Sequence, residues 1–187
     1  AEEIAKKMGK KLVIKDVAFD SIINEVKSNK SDFGAAGISY SEEREKEVDF
    51  SINYTTSKQV VVIKKDSGIT IDNLDGKKIA VQLGSIGDGY VTSNYKKSEI
   101  VRQKKYLQAI EDLKSDKVDC VVMDELPALE FVKVNDNLMV LDKELTSDSY
   151  GMIVKKGNTE LLNTINEVLN ELKDNGKIDE FIINHTK

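Results

Sequence analysis

Short apolar runs of strand length alternate with segments of helical periodicity along almost the whole chain, and that alternation leaves few folds open. Strand-like runs occur at Leu12–Val17, Phe33–Gly37, Gln59–Lys65, Lys77–Gln82, Glu99–Arg102, Val118–Met123, Leu138–Leu141 and Tyr150–Lys155. Between them, Phe19, Ile22, Ile23 and Val26 fall at i, i+3, i+4 and i+7, one face of a helix. Leu107, Ile110 and Leu113 mark another helix, and Pro127, Leu129 and Val132 a third. Leu161, Leu162, Ile165, Val168, Leu169 and Leu172 predict a long amphipathic helix stopped by Asn175-Gly176, and Ile178, Phe181 and Ile182 a last short one. At the start, Ile4 and Met8 form an i, i+4 apolar pair closed by Gly9. Strands that alternate with helices predict an α/β fold with largely parallel sheets.

A length of 187 residues fits one large domain or two small ones, and 40% hydrophobic residues suffice for a core. No apolar stretch approaches the roughly 18 residues of a membrane span. A net charge of -5 argues against a nucleic-acid surface. The one cysteine, Cys120, sits in an apolar run and reads as a core thiol. The one histidine, His185, lies in the tail and is expected to have no role. A single histidine builds neither a zinc cluster nor a Ser-His-Asp or Cys-His arrangement, so a hydrolase reading is poor. One internal echo stands out. Lys27-Ser28-Asn29-Lys30-Ser31-Asp32 and Lys114-Ser115-Asp116-Lys117-Val118-Asp119 both read as a helix end, a polar turn, then Asp and a buried strand. The echo fits two similar lobes.

Three stretches carry candidate chemistry. In Asp32–Phe50 (DFGAAGISYSEEREKEVDF) the strand Phe33–Gly37 is followed by a turn at Ile38, Ser39 and Tyr40. Ser41 then caps a helix whose Glu42 and Glu43 suit its positive end. The helix dipole disfavours Arg44 in that first turn. An arginine there is easier to explain if an anion meets it, since a guanidinium grips a carboxylate with two parallel hydrogen bonds. Gly37 would let the anion near the backbone, and Ser39 adds a hydroxyl. Local spacing also fits a solvated charge run. Asp124, at the end of the Val118–Met123 strand, suits an ammonium group and equally a plain helix N-cap. The loop Gly84–Gly89 lacks the Lys-Ser/Thr of a P-loop and the dinucleotide glycine spacing. It reads either as a nest of backbone N–H groups for a carboxylate or as a simple strand-to-helix turn. Together Arg44 and Asp124 suit a zwitterion.

The blocks AAGISYSEEREKEVDFS, LDGKKIAVQLGSIGDGY, KVDCVVMDELPA, TSDSYGMIVKKGN and LKDNGKIDEF, in this order, resemble the extracytoplasmic solute-binding proteins of polar amino-acid ABC importers. The resemblance covers essentially the whole chain. It implies a two-lobed type II periplasmic-binding fold, with residues 1–55 plus 151–187 in one lobe, 56–150 in the other, and a hinge near 54–58 and 148–152. It implies that Arg44 binds the ligand α-carboxylate with Ser39 N–H and backbone at Ser85 and Ile86. The Gly37 carbonyl, Ser39 hydroxyl and Asp124 would hold the α-ammonium, with Ala36 and Ile38 lining the same strand end. Phe19 would pack on the ligand side chain, and Gln82 and Met123 would help choose it. Because Gln82 and Met123 are uncharged, a strongly basic or acidic side chain is weakly disfavoured. The implied partners are a free amino acid and the membrane permease of an importer, outside the cytoplasm, with no cofactor. A dehydratase-like enzyme or a sensing receptor domain shares the resemblance, but the residues offer no spare acid/base pair and no membrane span.

The family opens with a strand and an aromatic-rich ligand loop, which this chain lacks at its start. The expectation is therefore an incomplete first lobe with open strand edges at Leu12–Val17 and Phe33–Gly37. Weak or no amino-acid binding, and self-association or segment exchange through that gap, would follow.

Overall fold

The computed structural model describes residues 1–185. In chain order the elements are α1 (Glu2–Lys7), α2 (Ile22–Lys27), β1 (Phe33–Ser39), α3 (Glu42–Glu45), β2 (Val48–Phe50), β3 (Thr55–Lys64), β4 (Lys78–Gln82) and α4 (Ile86–Asn94). They continue with β5 (Glu99–Gln103), α5 (Tyr106–Lys114), β6 (Cys120–Asp124), α6 (Glu125–Lys133), β7 (Leu138–Val140), β8 (Thr146–Lys155), α7 (Thr159–Asp174) and α8 (Lys177–His185). Single 3-10 turns lie at Phe19–Ser21 and Ile71–Asn73. The side chain of His185, expected to be without a role, lies outside the described residues.

The chain divides into two units. One comprises Ala1–Val17, Ser21–Thr56 and the chain from Asp148 onward; the other comprises Ala18–Asp20 and Ser57–Ser147. The main crossings, at Thr56–Ser57 and Ser147–Asp148, fall inside β3 and β8.

In the first unit, β1 and β2 each pair antiparallel with β8. The apolar stripe of α7 (Leu161, Ile165, Val168, Leu169) packs on Met152 and Val154 of β8 and on Ile4 of α1. In the second unit β4 runs parallel to β5 and β6, while β3 is antiparallel to β6 and β7. The parallel ladders are thus confined to the second unit. Period-2 alternation sorts its strands onto two faces. Val60, Val62, Ala80, Val121 and Met123 meet Ala109, Ile110 and Leu113 of α5 and Ala128 of α6. Val61, Ile63, Ile79, Val81, Cys120 and Val122 meet Val91 of α4 and Leu74.

The repeated turn has a physical basis. Ser28 and Ser115 end α2 and α5, and Asn29 (φ 56°) and Asp116 (φ 59°) follow in the left-handed region. Lys30 N–H then donates to Glu25 C=O and Lys117 N–H to Asp112 C=O, both at 2.9 Å. Asn29 N–H and Asp116 N–H donate to Val26 and Leu113 carbonyls. This is the Schellman pattern of helix termination, made twice from the same residue types.

Three sequence expectations are corrected. Leu12–Val17 forms no strand, and Val13 and Ile14 are 80% and 81% exposed. A strand needs a ladder partner and a covered face, and no described strand supplies either. Leu107 stands 59% exposed, because Ala109, Ile110 and Leu113 already supply the buried face of α5. Finally, β1 runs through Ile38 to Ser39, where a turn was expected, and β2 was not anticipated.

Candidate functional site

In the first unit the expected residues gather at the end of β1. Phe33↔Val154 and Gly34↔Ile153 share one register with β8, whereas Ile38↔Gly151 and Ser39↔Tyr150 are shifted by a bulge. The irregularity falls across Ala35, Ala36 and Gly37, between the two registers. Ala36 is exposed. Gly37 has φ +59°, and a Cβ there would lie 3.3 Å from the Tyr150 ring, so both conformation and space call for glycine. Ile38 is 2% exposed and belongs to the core, which leaves only its backbone for any ligand.

Ser41 caps the short α3, its hydroxyl accepting from Arg44 N–H at 3.2 Å. The cap turns Arg44 back over β1, where its Nη1 donates to Ser39 C=O at 2.7 Å. Arg44 is thus half-buried and oriented, and does not belong to a loose charge run. The buried Ser39 hydroxyl donates to Asp148 Oδ2 at 2.8 Å. Asp148 was not among the expected residues. It lies in β8, far along the sequence, and only antiparallel pairing brings it to Ser39.

In the second unit, β4 leads through Gly84 (φ +76°) into α4. Ser85, buried and in N-cap position, accepts from Asp88 N–H at 3.1 Å. Asp88 Oδ2 accepts from Gly84 N–H at 3.1 Å, and Arg102 Nε donates to Asp88 Oδ1 at 2.9 Å. The loop is therefore fixed from two sides. Ile86 begins α4, whose first-turn N–H groups have no carbonyl one turn earlier to bond within the helix. The half-buried Gln82 donates through Nε2 to Lys104 C=O at 3.1 Å. Phe19, half-buried in its 3-10 turn, groups with this unit.

Asp124 ends β6. It holds the N-cap position of α6, yet its side chain makes no cap bond. Its Oδ1 accepts from Gln59 Nε2 at 2.6 Å and its Oδ2 from Tyr106 Oη at 2.9 Å. The carboxylate is held by two donors beyond the strand end. Met123, one residue earlier, is fully enclosed (0% exposed) among Val60, Val121 and the α5 side chains, so it has no surface to offer a ligand. Strand alternation accounts for this, since Met123 points to the face opposite Val122. No group of three or more metal-ligating side chains occurs among the described residues.

Residues 1–185 match the family model for bacterial extracellular solute-binding proteins, family 3. The chain belongs to this family. As a solute-binding protein it is similar to the arginine-binding extracellular protein ArtP of Bacillus subtilis, 32% identical over 96% of this chain and 72% of ArtP. It is also similar to the L-cystine-binding protein TcyJ of Escherichia coli, 29% identical over 95% of this chain and 68% of TcyJ. Among solved structures it resembles an amino acid ABC transporter substrate-binding protein, AbpA of Streptococcus pneumoniae, bound to L-arginine. That match has a TM-score of 0.95 at 32% identity, covering 100% of this chain and 81% of AbpA. The mixed α/β architecture is the type II periplasmic-binding fold of these structures. Among the described residues no helix of this solute-binding protein is long and apolar enough to cross a membrane.

Proposed function

We propose that this solute-binding protein takes up a free L-α-amino acid outside the cytoplasm and passes it to the permease of an ABC importer, without chemistry of its own. The observation that carries the reading is Asp124, an acid at a helix N-cap that leaves its cap unmade and is aimed by Gln59 and Tyr106. It takes the ligand ammonium. Arg44 takes the carboxylate, joined by backbone at Ser39, Ser85 and Ile86, with the Gly37 carbonyl and Ser39 hydroxyl also facing the ammonium. Ala36 and Ile38 contribute main chain only; Phe19 and Gln82 touch the side chain. Relatives are named for arginine and for cystine, so the side chain is read by experiment, with arginine tried first.

A thermal-shift screen against the common amino acids identifies the ligand, and calorimetry then tests the anchors. Arg44→Ala leaves a carboxylate without its partner and costs roughly 3–5 kcal/mol, about a hundred- to a few thousand-fold in affinity. Asp124→Asn loses less, because a neutral acceptor remains. Wild-type binding by Arg44→Ala refutes the assignment, and product formed on incubation refutes the absence of catalysis. Light scattering on the same samples tests the expected self-association.

A further inference from the structure

Tyr106 is the first residue of α5, and its helix is anchored in the core by Ala109, Ile110 and Leu113. Its ring packs against that core while its hydroxyl reaches Asp124. Burial, ahead of the Asp124 charge, raises the phenol well above its ordinary value near 10, so the hydroxyl keeps its proton at any physiological pH. With that proton on Asp124 Oδ2, the phenol acts as a fixed donor to one carboxylate oxygen. Gln59, 1% exposed, closes the other side. Gly87 lets α4 approach it, since a Cβ there would lie 2.8 Å from Gln59 Oε1.

We propose that Tyr106 is a positioning residue for amino-acid recognition: its hydroxyl, with Gln59, sets the rotamer of Asp124 for the ligand ammonium. A carboxylate has about four lone-pair sites. Gln59 and Tyr106 fill two and fix the direction of the rest, so an arriving ammonium meets an acceptor already ordered. The proposal rests on Asp124 as the ammonium anchor.

The test is calorimetry on the full chain with the amino acid found by the screen and with its α-hydroxy acid counterpart, which lacks the ammonium. Tyr106→Phe keeps the ring and removes only the hydroxyl. Its melting temperature stays near wild type, amino-acid affinity falls roughly five- to thirty-fold, and α-hydroxy acid affinity changes much less. The preference for the amino acid therefore narrows. A second measurement combines Tyr106→Phe with Asp124→Ala: the two losses add to less than their sum, because the hydroxyl acts through Asp124. Wild-type affinity in Tyr106→Phe, equal losses for both ligands, or full additivity each overturn the proposal. Should the wild-type chain bind no amino acid at all, the amino-acid reading itself falls, a result distinct from any of these.

Discussion

Cys120, enclosed between Val61, Ile79 and Val122, keeps its proton far into the alkaline range, because burial pushes its thiol up to about 12. In the unfolded chain the same thiol ionises near 9. Below that value both states hold the proton and the full stability is present. Above it the unfolded state binds fewer protons, so stability falls as pH rises toward the folded value. Denaturant titrations from about pH 8 to 11 should therefore show Cys120→Ala losing stability less steeply than wild type. Parallel slopes would refute this. The same locality decides which residues of the proposed site could be read from sequence. Arg44 and Ser39 betray themselves through neighbours, a cation in an acidic first turn and a serine at a strand end. Asp124 was visible as a candidate beside a helix-cap reading, and in the structure its side chain makes no cap bond. Gln59, Tyr106 and Asp148 had no local signal, since each meets its partner only through strand pairing or helix docking. Met123 was a candidate through its neighbour Asp124, and strand alternation turns it into the core.

Helix ends tell the reverse story, because they are written in consecutive residues. The echo of Lys-Ser-Asn-Lys and Lys-Ser-Asp-Lys was legible as a pattern, and the structure gives it one geometry at the ends of α2 and α5. Gly9 and Gly176 do the same work at the ends of α1 and α7, with φ of 64° and 65°. A non-glycine residue in that region carries a penalty of about 1 kcal/mol, so Asn29→Gly should stabilise the protein by up to that amount. Asn29→Ala should do the opposite, and thermal denaturation of both variants checks the pair. The long helix α7 and the buried strands β3, β4 and β6 were likewise legible, since their patterns are strong and continuous. Leu12–Val17 was not, because a short apolar run states only that a strand is permitted. A partner on the ladder decides whether one forms.

At the scale of the whole chain, the second unit is almost one continuous stretch, while the first is assembled from the chain's two ends. Within the second unit β4 pairs with β5 21 residues on and with β6 41 residues on. In the first, β1 and β2 find their only described ladder partner in β8, on the far side of the intervening unit. Closing so long a loop is entropically slow compared with local pairing. Pulsed amide labelling during refolding should show β4 and β6 protected before β1 and β2; simultaneous protection would contradict that order. The arrangement also sets a timetable for synthesis. A ribosome adds about 5–20 residues each second, so β1 and β2 emerge several seconds before β8 exists. Through that interval the middle of the protein is itself being made, and the beginning waits for the end.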